Sequence, residues 1–129
     1  MKKIAISMCS RVFAESIFLM LRQTGSFYPV KVTPSSADIM AAECRTAGVE
    51  IVLMEVSSAL PYAGLNVRLK AAEIIRKQIP GCKIALLCDE VSNPELAREI
   101  MMAKQTGEID LFFYASVTAE YISAMLEAM

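Results

Sequence analysis

Histidine is absent from this sequence of 129 residues. Its absence excludes catalytic triads built on an imidazole base and removes the commonest protein ligand of transition metals. Cysteine pairs with the CxxC spacing of redox or zinc sites are absent too. We therefore expect the four cysteines to be reduced, mostly buried thiols of a cytoplasmic protein; they are Cys9, Cys44, Cys82 and Cys88.

Long apolar runs and an excess of one charge are also missing. No segment approaches the ~20 apolar residues of a membrane-spanning helix, and the N-terminal apolar run is too short for a secretory signal. The 13 basic and 14 acidic residues give a net charge of −1, which offers no electrostatic footprint for nucleic acid or an anionic membrane. Hydrophobic residues make up 55% of the chain, so we expect one globular domain over residues 1–129.

Short apolar runs alternate with amphipathic segments along the whole chain. The predicted strands are Lys3–Met8, Tyr28–Thr33, Glu50–Val56, Lys83–Cys88 and Ile109–Tyr114. A helix is predicted after each strand: between Ser10 and Gly25, over Ala37–Ala47, Asn66–Gln78 and Pro94–Gln105, and from Thr118 onward. This alternation predicts an α/β, flavodoxin-like fold with a five-stranded parallel sheet in the order 2-1-3-4-5 and helices on both faces.

The region from Glu50 to Gln78 carries the strongest pattern. Glu50–Val56 is an unbroken apolar run between acids, which is typical of a strand buried on both faces. Glu55 lies at its end, and in open α/β sheets the chemistry lies outside the carboxyl ends of the strands. In the next helix we expect the basic residues to face solvent and four apolar residues to face inward: Val67, Leu69, Ile74 and Ile75.

The whole chain resembles the receiver domains of bacterial two-component response regulators, and the resemblance is strongest over Glu50–Lys77. This segment has an apolar strand ending in an acid, a loop with a proline, and Gly64-Leu65-Asn66-Val67 opening a helix with a basic outer face. In receivers the acid is an aspartate that accepts a phosphoryl group from a histidine kinase; the matching residue here is Glu55. The resemblance implies the same fold and a role in signal transduction.

The residues that carry receiver chemistry are replaced at every matching position. Receivers hold Mg²⁺ with two acids after the first strand, where this chain has Met8 and Cys9. They place a hydroxyl residue after strand four and a lysine and a proline after strand five, where this chain has Cys88, Tyr114 and Ala115. A thioether and a thiol are poor ligands of a hard cation. We therefore expect a degenerate pseudo-receiver with no metal, no cofactor, no catalytic residue and no phosphorylation.

Two roles stay open for Glu55. Its side chain is longer than that of aspartate and could imitate the phosphorylated state of a receiver. It could instead be an idle acid that accepts hydrogen bonds from backbone N–H groups or from Tyr114. A carboxylate with a single charge is a poor copy of an acyl phosphate, which favours the second role.

We expect a regulatory interaction module rather than an enzyme. Its partner would be another protein or an attached output domain, such as a DNA-binding domain that regulates transcription, because the chain stops within the fifth helix like a piece of a longer protein. This domain itself would contact neither nucleic acid nor a membrane. We also expect a homodimer or partner face on the fourth helix, fifth strand and fifth helix, formed by Leu96, Ile100, Met101, Phe112, Tyr121 and Met125.

Cys9 supports an alternative function. A cysteine after the first strand resembles the phosphocysteine loop of phosphotransferase-system IIB domains, and a helix N-terminus lowers the pKa of a thiol. The loop that follows contains no glycine, however, and Glu15 lies where a phosphate cradle needs free amides. A second alternative is a flavodoxin-like domain that binds a small ligand, but no Gly-rich or Ser/Thr-rich phosphate loop supports it.

Overall fold

Strands and helices alternate strictly along the chain, and the computed structural model describes every residue, 1–129. The strands are β1 (Lys2–Ser7), β2 (Phe27–Lys31), β3 (Ile51–Glu55), β4 (Lys83–Cys88) and β5 (Leu111–Tyr114). The helices are α1 (Arg11–Gln23), α2 (Ala37–Ala47), α3 (Leu65–Gln78), α4 (Pro94–Gln105) and α5 (Ala119–Glu127). None of these helices has the length and apolar content needed to cross a membrane.

All neighbouring strands are parallel, and their order in the sheet is β2-β1-β3-β4-β5. This confirms the predicted fold class and strand order. The predicted strand bounds differ by one or two residues, mainly in β2 and β5, because ladder pairing stops before the apolar pattern does. Ile109, for example, is buried but lies outside the paired part of β5.

The sheet separates two apolar cores. One core lies under α2, α3 and α4 and includes Val52 and Met54 of β3. The other lies under α1 and α5 and includes Ile51 and Leu53 of the same strand. Since successive side chains of a strand point to opposite faces, a strand covered on both sides needs an unbroken apolar run. The interpretation of Glu50–Val56 as a doubly buried strand is therefore confirmed.

Helix starts lie where the sequence places capping residues. The Ser10 hydroxyl accepts a hydrogen bond from the N–H of Phe13 (3.3 Å), and the Asn93 side chain accepts one from Leu96 (3.1 Å). Ser36 is the cap of α2, and its side chain accepts a hydrogen bond from the N–H of Ile39. Each cap satisfies one of the N–H groups that a helix start leaves free, so these side chains fix where the chain leaves the sheet.

The inward face of α3 differs from the prediction. Arg68, Ala71, Ala72 and Ile75 are buried, at the spacing of one helical stripe, whereas Val67, Leu69 and Ile74 are only half-buried. The two alanines allow α3 to pack closely against α2 and the sheet, and this orientation carries Arg68 inward. The prediction that all basic residues of this helix face solvent is therefore wrong for Arg68.

The carboxylate of Asp110 joins three elements at the amino edge of the sheet. Its Oδ2 accepts a hydrogen bond from the N–H of Ile84 in β4 (2.8 Å) and from Nη2 of Arg76 in α3 (2.6 Å). Arg76 also donates through Nη1 to the carbonyl of Gly107 (2.5 Å). One acid thus aligns the start of β5 with β4 and with α3.

We expect Asp110→Ala to destabilise the fold by about 2 kcal/mol, because it leaves a buried N–H and a guanidinium without their acceptor. Urea unfolding followed by circular dichroism measures the change. Glu108→Ala is the matched control: Glu108 is an exposed neighbour without an ion pair, and its replacement should change stability by about 0.5 kcal/mol or less. Equal effects of the two substitutions would contradict this role of Asp110.

Candidate functional site

Four strand ends meet at the carboxyl edge of the sheet. Ser7 of β1 pairs in register with Met54, next to Glu55 at the end of β3. Cys88 at the end of β4 pairs with Tyr114 at the end of β5. This edge is where a parallel α/β sheet holds its ligands, and it contains every residue matched to the receiver motif.

The Glu55 carboxylate contacts the loop after β1. Its Oε1 accepts a hydrogen bond from the backbone N–H of Cys9 at 2.8 Å. Two roles were considered for Glu55: a mimic of the phosphorylated state and an idle acid that accepts hydrogen bonds. This contact is the kind expected for the second role. A carboxylate oxygen bound in this way is oriented toward β1.

Arg68 lies immediately beneath this contact and is only 1% exposed. Its Nε donates to the carbonyl oxygen of Glu55 (3.0 Å), its Nη1 to the hydroxyl of Ser7 (3.0 Å), and its Nη2 to the carbonyl of Ser7 (3.2 Å). Nη1 also lies 3.9 Å from the sulfur of Met40 in α2. The guanidinium therefore joins the ends of β1 and β3 to α3.

The charge of Arg68 belongs to the electrostatics of this edge. Burial lowers the pKa of Arg68, because a buried cation loses its hydration, while the nearby Cys9 and Glu55 act in the opposite direction. A guanidinium starts from so high a pKa that it stays charged. The buried cation of Arg68 thus lies near the carboxylate of Glu55 at this edge.

Arg68 is a residue of this edge that was not predicted from the sequence. The available signal was the stripe that it forms with Ala71, Ala72 and Ile75, at the spacing i, i+3, i+4 and i+7 of a buried helix face. Its burial also depends on the polar groups at the ends of β1 and β3, which lie far from it along the chain.

Three other residues matched to the receiver motif have side chains that pack in the apolar cores. Met8 is buried in the core under α1 and α5, whereas Cys88 is buried in the core on the opposite face. Tyr114 is half-buried on the same side as Cys88, and its ring meets that of Phe112 edge to face, with 5.5 Å between ring centres. The structure therefore brings Cys9 and Glu55 together and turns Met8, Cys88 and Tyr114 toward the cores, while Ala115 is exposed.

The residues present do not fit Mg²⁺. No group of three or more Cys, Asp or Glu side chains is arranged to hold a metal ion. Met8 is buried among apolar side chains, and Glu55 supplies a carboxylate with one oxygen already bound to the Cys9 amide. Mg²⁺ requires nearly octahedral oxygen ligands, and this edge does not supply such a set.

The thiol of Cys9 is not activated. Burial raises its pKa, and the negative charge of Glu55 raises it further, while Arg68 lowers it by a smaller amount. Most of the thiol is therefore protonated at neutral pH, and the thiolate is the nucleophilic form. The raised pKa of Cys9 does not favour the phosphocysteine alternative, which requires a lowered one.

The remaining cysteines are buried and are not reactive either. Burial raises the pKa of Cys44 to about 12 and the pKa values of Cys82 and Cys88 to about 11. All four cysteines are free thiols. The expectation of reduced, mostly buried thiols therefore agrees with the structure.

Two further acids follow β4 at this edge. Asp89 accepts hydrogen bonds from the hydroxyl of Ser92 (2.7 Å) and from the N–H groups of Val91 (3.1 Å) and Ser92 (3.3 Å), and these bonds lower its pKa. Glu90 bonds to the Ser116 hydroxyl through Oε1, whereas its buried Oε2 has no hydrogen-bond partner. Asp89 thus shapes the loop before α4, and Glu90 links it to the loop after β5.

An open groove of about 780 Å³ lies between the loops that follow β1 and β2. Arg11 and Lys31 are its cations, and Lys31 is paired with Glu15. The groove contains no glycine. Since its one ion pair already neutralises half of its positive charge, it does not form a phosphate cradle.

The predicted dimer face is partly corrected. Ile100 is fully buried, because α4 turns it toward the sheet, so it cannot contribute to a surface. Met101 and Tyr121 are exposed, and the other three predicted members are half-buried against the cores: Leu96, Phe112 and Met125. The homodimer stays a prediction.

The five-stranded order, the five covering helices and the acid at the end of β3 define the class of fold: it is the CheY-like fold of response-regulator receiver domains. No protein-family model and no curated protein sequence matches the chain. Similar solved structures cover 98–99% of it.

One similar structure is a DNA-binding response regulator of the LuxR family from Staphylococcus aureus, with 12% identity, a TM-score of 0.76 and 98% of that chain covered. Another is a CheY-like receiver domain protein from Methanospirillum hungatei, with 16% identity, a TM-score of 0.74 and 92% covered. A third is the receiver domain of the putative response regulator NarL from Mycobacterium tuberculosis, with 16% identity, a TM-score of 0.73 and 94% covered. At these identities the similarity shows the fold.

We expect Arg68→Ala to destabilise the fold by about 3 kcal/mol, because three acceptors at the ends of β1 and β3 lose their donor and a cavity remains. Chemical denaturation measures the change. Arg98→Ala, which removes an exposed arginine from α4, is the matched control and should be nearly neutral. If Arg68→Ala does not fold, Arg68→Lys should still show part of the loss; two neutral arginine substitutions would disprove the role of Arg68.

We expect Cys9 to react slowly with iodoacetamide at neutral pH and faster as the pH rises, because its raised pKa keeps the thiolate scarce. Glu55→Gln removes the negative charge beside the thiol and should accelerate the reaction. Glu50→Gln removes a charge at the opposite edge of the sheet and should leave the rate unchanged. Peptide mass spectrometry over time measures each rate, and rapid alkylation of wild-type Cys9 would contradict the assignment.

Proposed function

We propose that this chain is a degenerate receiver domain that acts as a signalling and protein-interaction module without phosphorylation. The observation that carries the proposal is the contact between the Glu55 carboxylate and the Cys9 amide, at an edge that has no second acid positioned for a metal. The receiver fold supports the signalling role, and the altered edge supports the absence of phosphoryl chemistry.

Phosphoryl transfer requires groups that this edge lacks. The transferred group carries charge on its equatorial oxygens, which Mg²⁺ and a lysine neutralise in receivers. Here a thioether and a thiol occupy the matching metal positions, and Tyr114 occupies the matching lysine position. Glu55 is also one methylene longer than aspartate and has one oxygen bound, so an in-line geometry suited to aspartate would be missed.

Arg68 supplies a permanent positive charge at this edge, where receivers bind Mg²⁺. Its hydrogen bonds hold the ends of β1 and β3 together without a metal or a phosphoryl group. This edge would therefore keep one arrangement, and partner binding at the surface of the domain would carry the signal. In this reading Glu55 is an acceptor that orders the loop after β1.

The module would regulate another protein or an attached output domain, and it would not be an enzyme. One similar protein is named a DNA-binding response regulator, which supports a DNA-binding output domain that controls transcription as one form of partner. The near-neutral charge of this chain gives no support to DNA contact by the domain itself. This role and the four free thiols support a cytoplasmic location.

Incubation with acetyl phosphate and Mg²⁺, read by intact mass spectrometry, tests the proposal. We expect no phosphoryl adduct on the wild type, whereas a receiver with the complete aspartate motif, treated in parallel, should gain one. Glu55→Asp should also stay unmodified, because the metal ligands are still missing. An adduct on Glu55 would overturn the proposal, and an adduct on Cys9 would favour the phosphocysteine carrier.

A further inference from the structure

A groove separates α3 from α4 at the carboxyl edge. It has a volume of about 420 Å³. It exists because α3 packs mainly against α2, while α4 packs on β4 and β5. Its apolar lining consists of three half-buried side chains: Leu65, Val67 and Leu96. We call this feature the α3–α4 groove.

One wall of the α3–α4 groove is acidic. Glu95 and Glu99 lie one turn apart on α4, line the groove and are exposed. Like charges at this spacing repel each other. Neither forms an ion pair, since the salt bridges of the chain join Glu15, Glu73 and Asp110 to their partners elsewhere.

The negative charge extends into the loop before α4. Residues 89–99 contain four acids, among them Asp89 and Glu90, and a single base, Arg98. One carboxylate oxygen of Glu90 has no hydrogen-bond partner. The opposite wall, at the start of α3, contributes Asn66 but no basic side chain. No basic side chain of the groove therefore neutralises this wall.

Exposed apolar side chains lie in the two loops that lead into these helices. Val91 is 80% exposed, Tyr62 49% and Leu60 41%. The β3–α3 and β4–α4 loops follow neighbouring strands, so they lie side by side above the sheet edge. Together with the lining of the α3–α4 groove, they provide apolar contact area next to the acidic wall.

We propose that the α3–α4 groove binds an amphipathic, basic helix of a partner protein. Its apolar side chains would rest on Leu65, Val67 and Leu96, and its lysines or arginines would pair with Glu95 and Glu99. A groove between two helices suits a helix with apolar residues on one face, and the charge complementarity selects a basic one. This proposal rests on the proposed function as a protein-interaction module and names the surface and the class of partner.

Binding of a synthetic helix-forming peptide tests the proposal. The probe carries leucines at the spacing of one helix face and lysines on both flanks; the control peptide has glutamate in place of every lysine. Fluorescence anisotropy measures affinity, and NMR amide shifts locate the site. We expect the lysine peptide to bind, to weaken as salt rises, and to shift amides along the α3–α4 groove, while the glutamate peptide does not bind.

Matched double variants separate the groove from general negative charge. Glu95→Gln with Glu99→Gln should weaken binding of the lysine peptide about tenfold or more, because both ion-pair partners are lost. Glu43→Gln with Glu127→Gln removes the same charge from exposed sites on α2 and α5 and should leave the affinity nearly unchanged. Equal losses in both variants, or amide shifts on the β5 side of the sheet, would overturn the proposal.

The two proposals fail separately. A phosphoryl adduct on Glu55 would refute the phosphorylation-independent function even if the peptide bound in the groove. Absence of peptide binding, with no adduct, would refute the α3–α4 groove alone. If light scattering instead shows a dimer whose interface is disrupted by the Glu95 and Glu99 substitutions, a second copy of this chain occupies the groove and the assignment to a partner helix is wrong.

Discussion

The carboxyl edge of this sheet depends on the buried guanidinium of Arg68. A buried cation is costly unless hydrogen bonds compensate for its lost hydration, and Arg68 meets this condition with three oxygen acceptors from Ser7 and Glu55. Two of those acceptors are carbonyls at strand ends, so their positions are fixed relative to each other and to α3. The loop of Cys9 and the carboxylate of Glu55 are built on that support.

This arrangement separates the receiver fold from receiver chemistry. A metal and a phosphoryl group are transient and can carry a signal, whereas an arginine is permanent. With Arg68 in place and the Cys9 amide bound to Glu55, the edge is stabilised without an exchangeable ligand. Under the proposed function a signal would pass through surfaces, and the acids beside the α3–α4 groove are a surface feature that no salt bridge of the chain neutralises.

The fold was accessible from the sequence because its signals are local. Helix starts are marked by the N-cap residues Ser10, Asn93 and Thr118. The apolar run Glu50–Val56 can bury its side chains only if helices cover both faces of its strand. Strand bounds were less accurate, because pairing in β5 stops at Leu111 although Ile109 remains buried. The site was accessible only in part: Glu55 and Cys9 do meet, while Met8 and Cys88 turn into opposite cores.

The sequence by itself determined the order of strands and helices along the chain and the acid at the end of β3, since these follow from residue identity and spacing. Only the tertiary structure decided which side chains face each other. An arginine on a helix with several basic residues is expected to face solvent. Arg68 is buried instead, because acceptors from β1 and β3 surround it. Ile100 was predicted on a dimer or partner face, but it is buried because α4 turns it toward the sheet. Helical periodicity defines which residues share one face of a helix. The elements packed against that face decide what those residues contact.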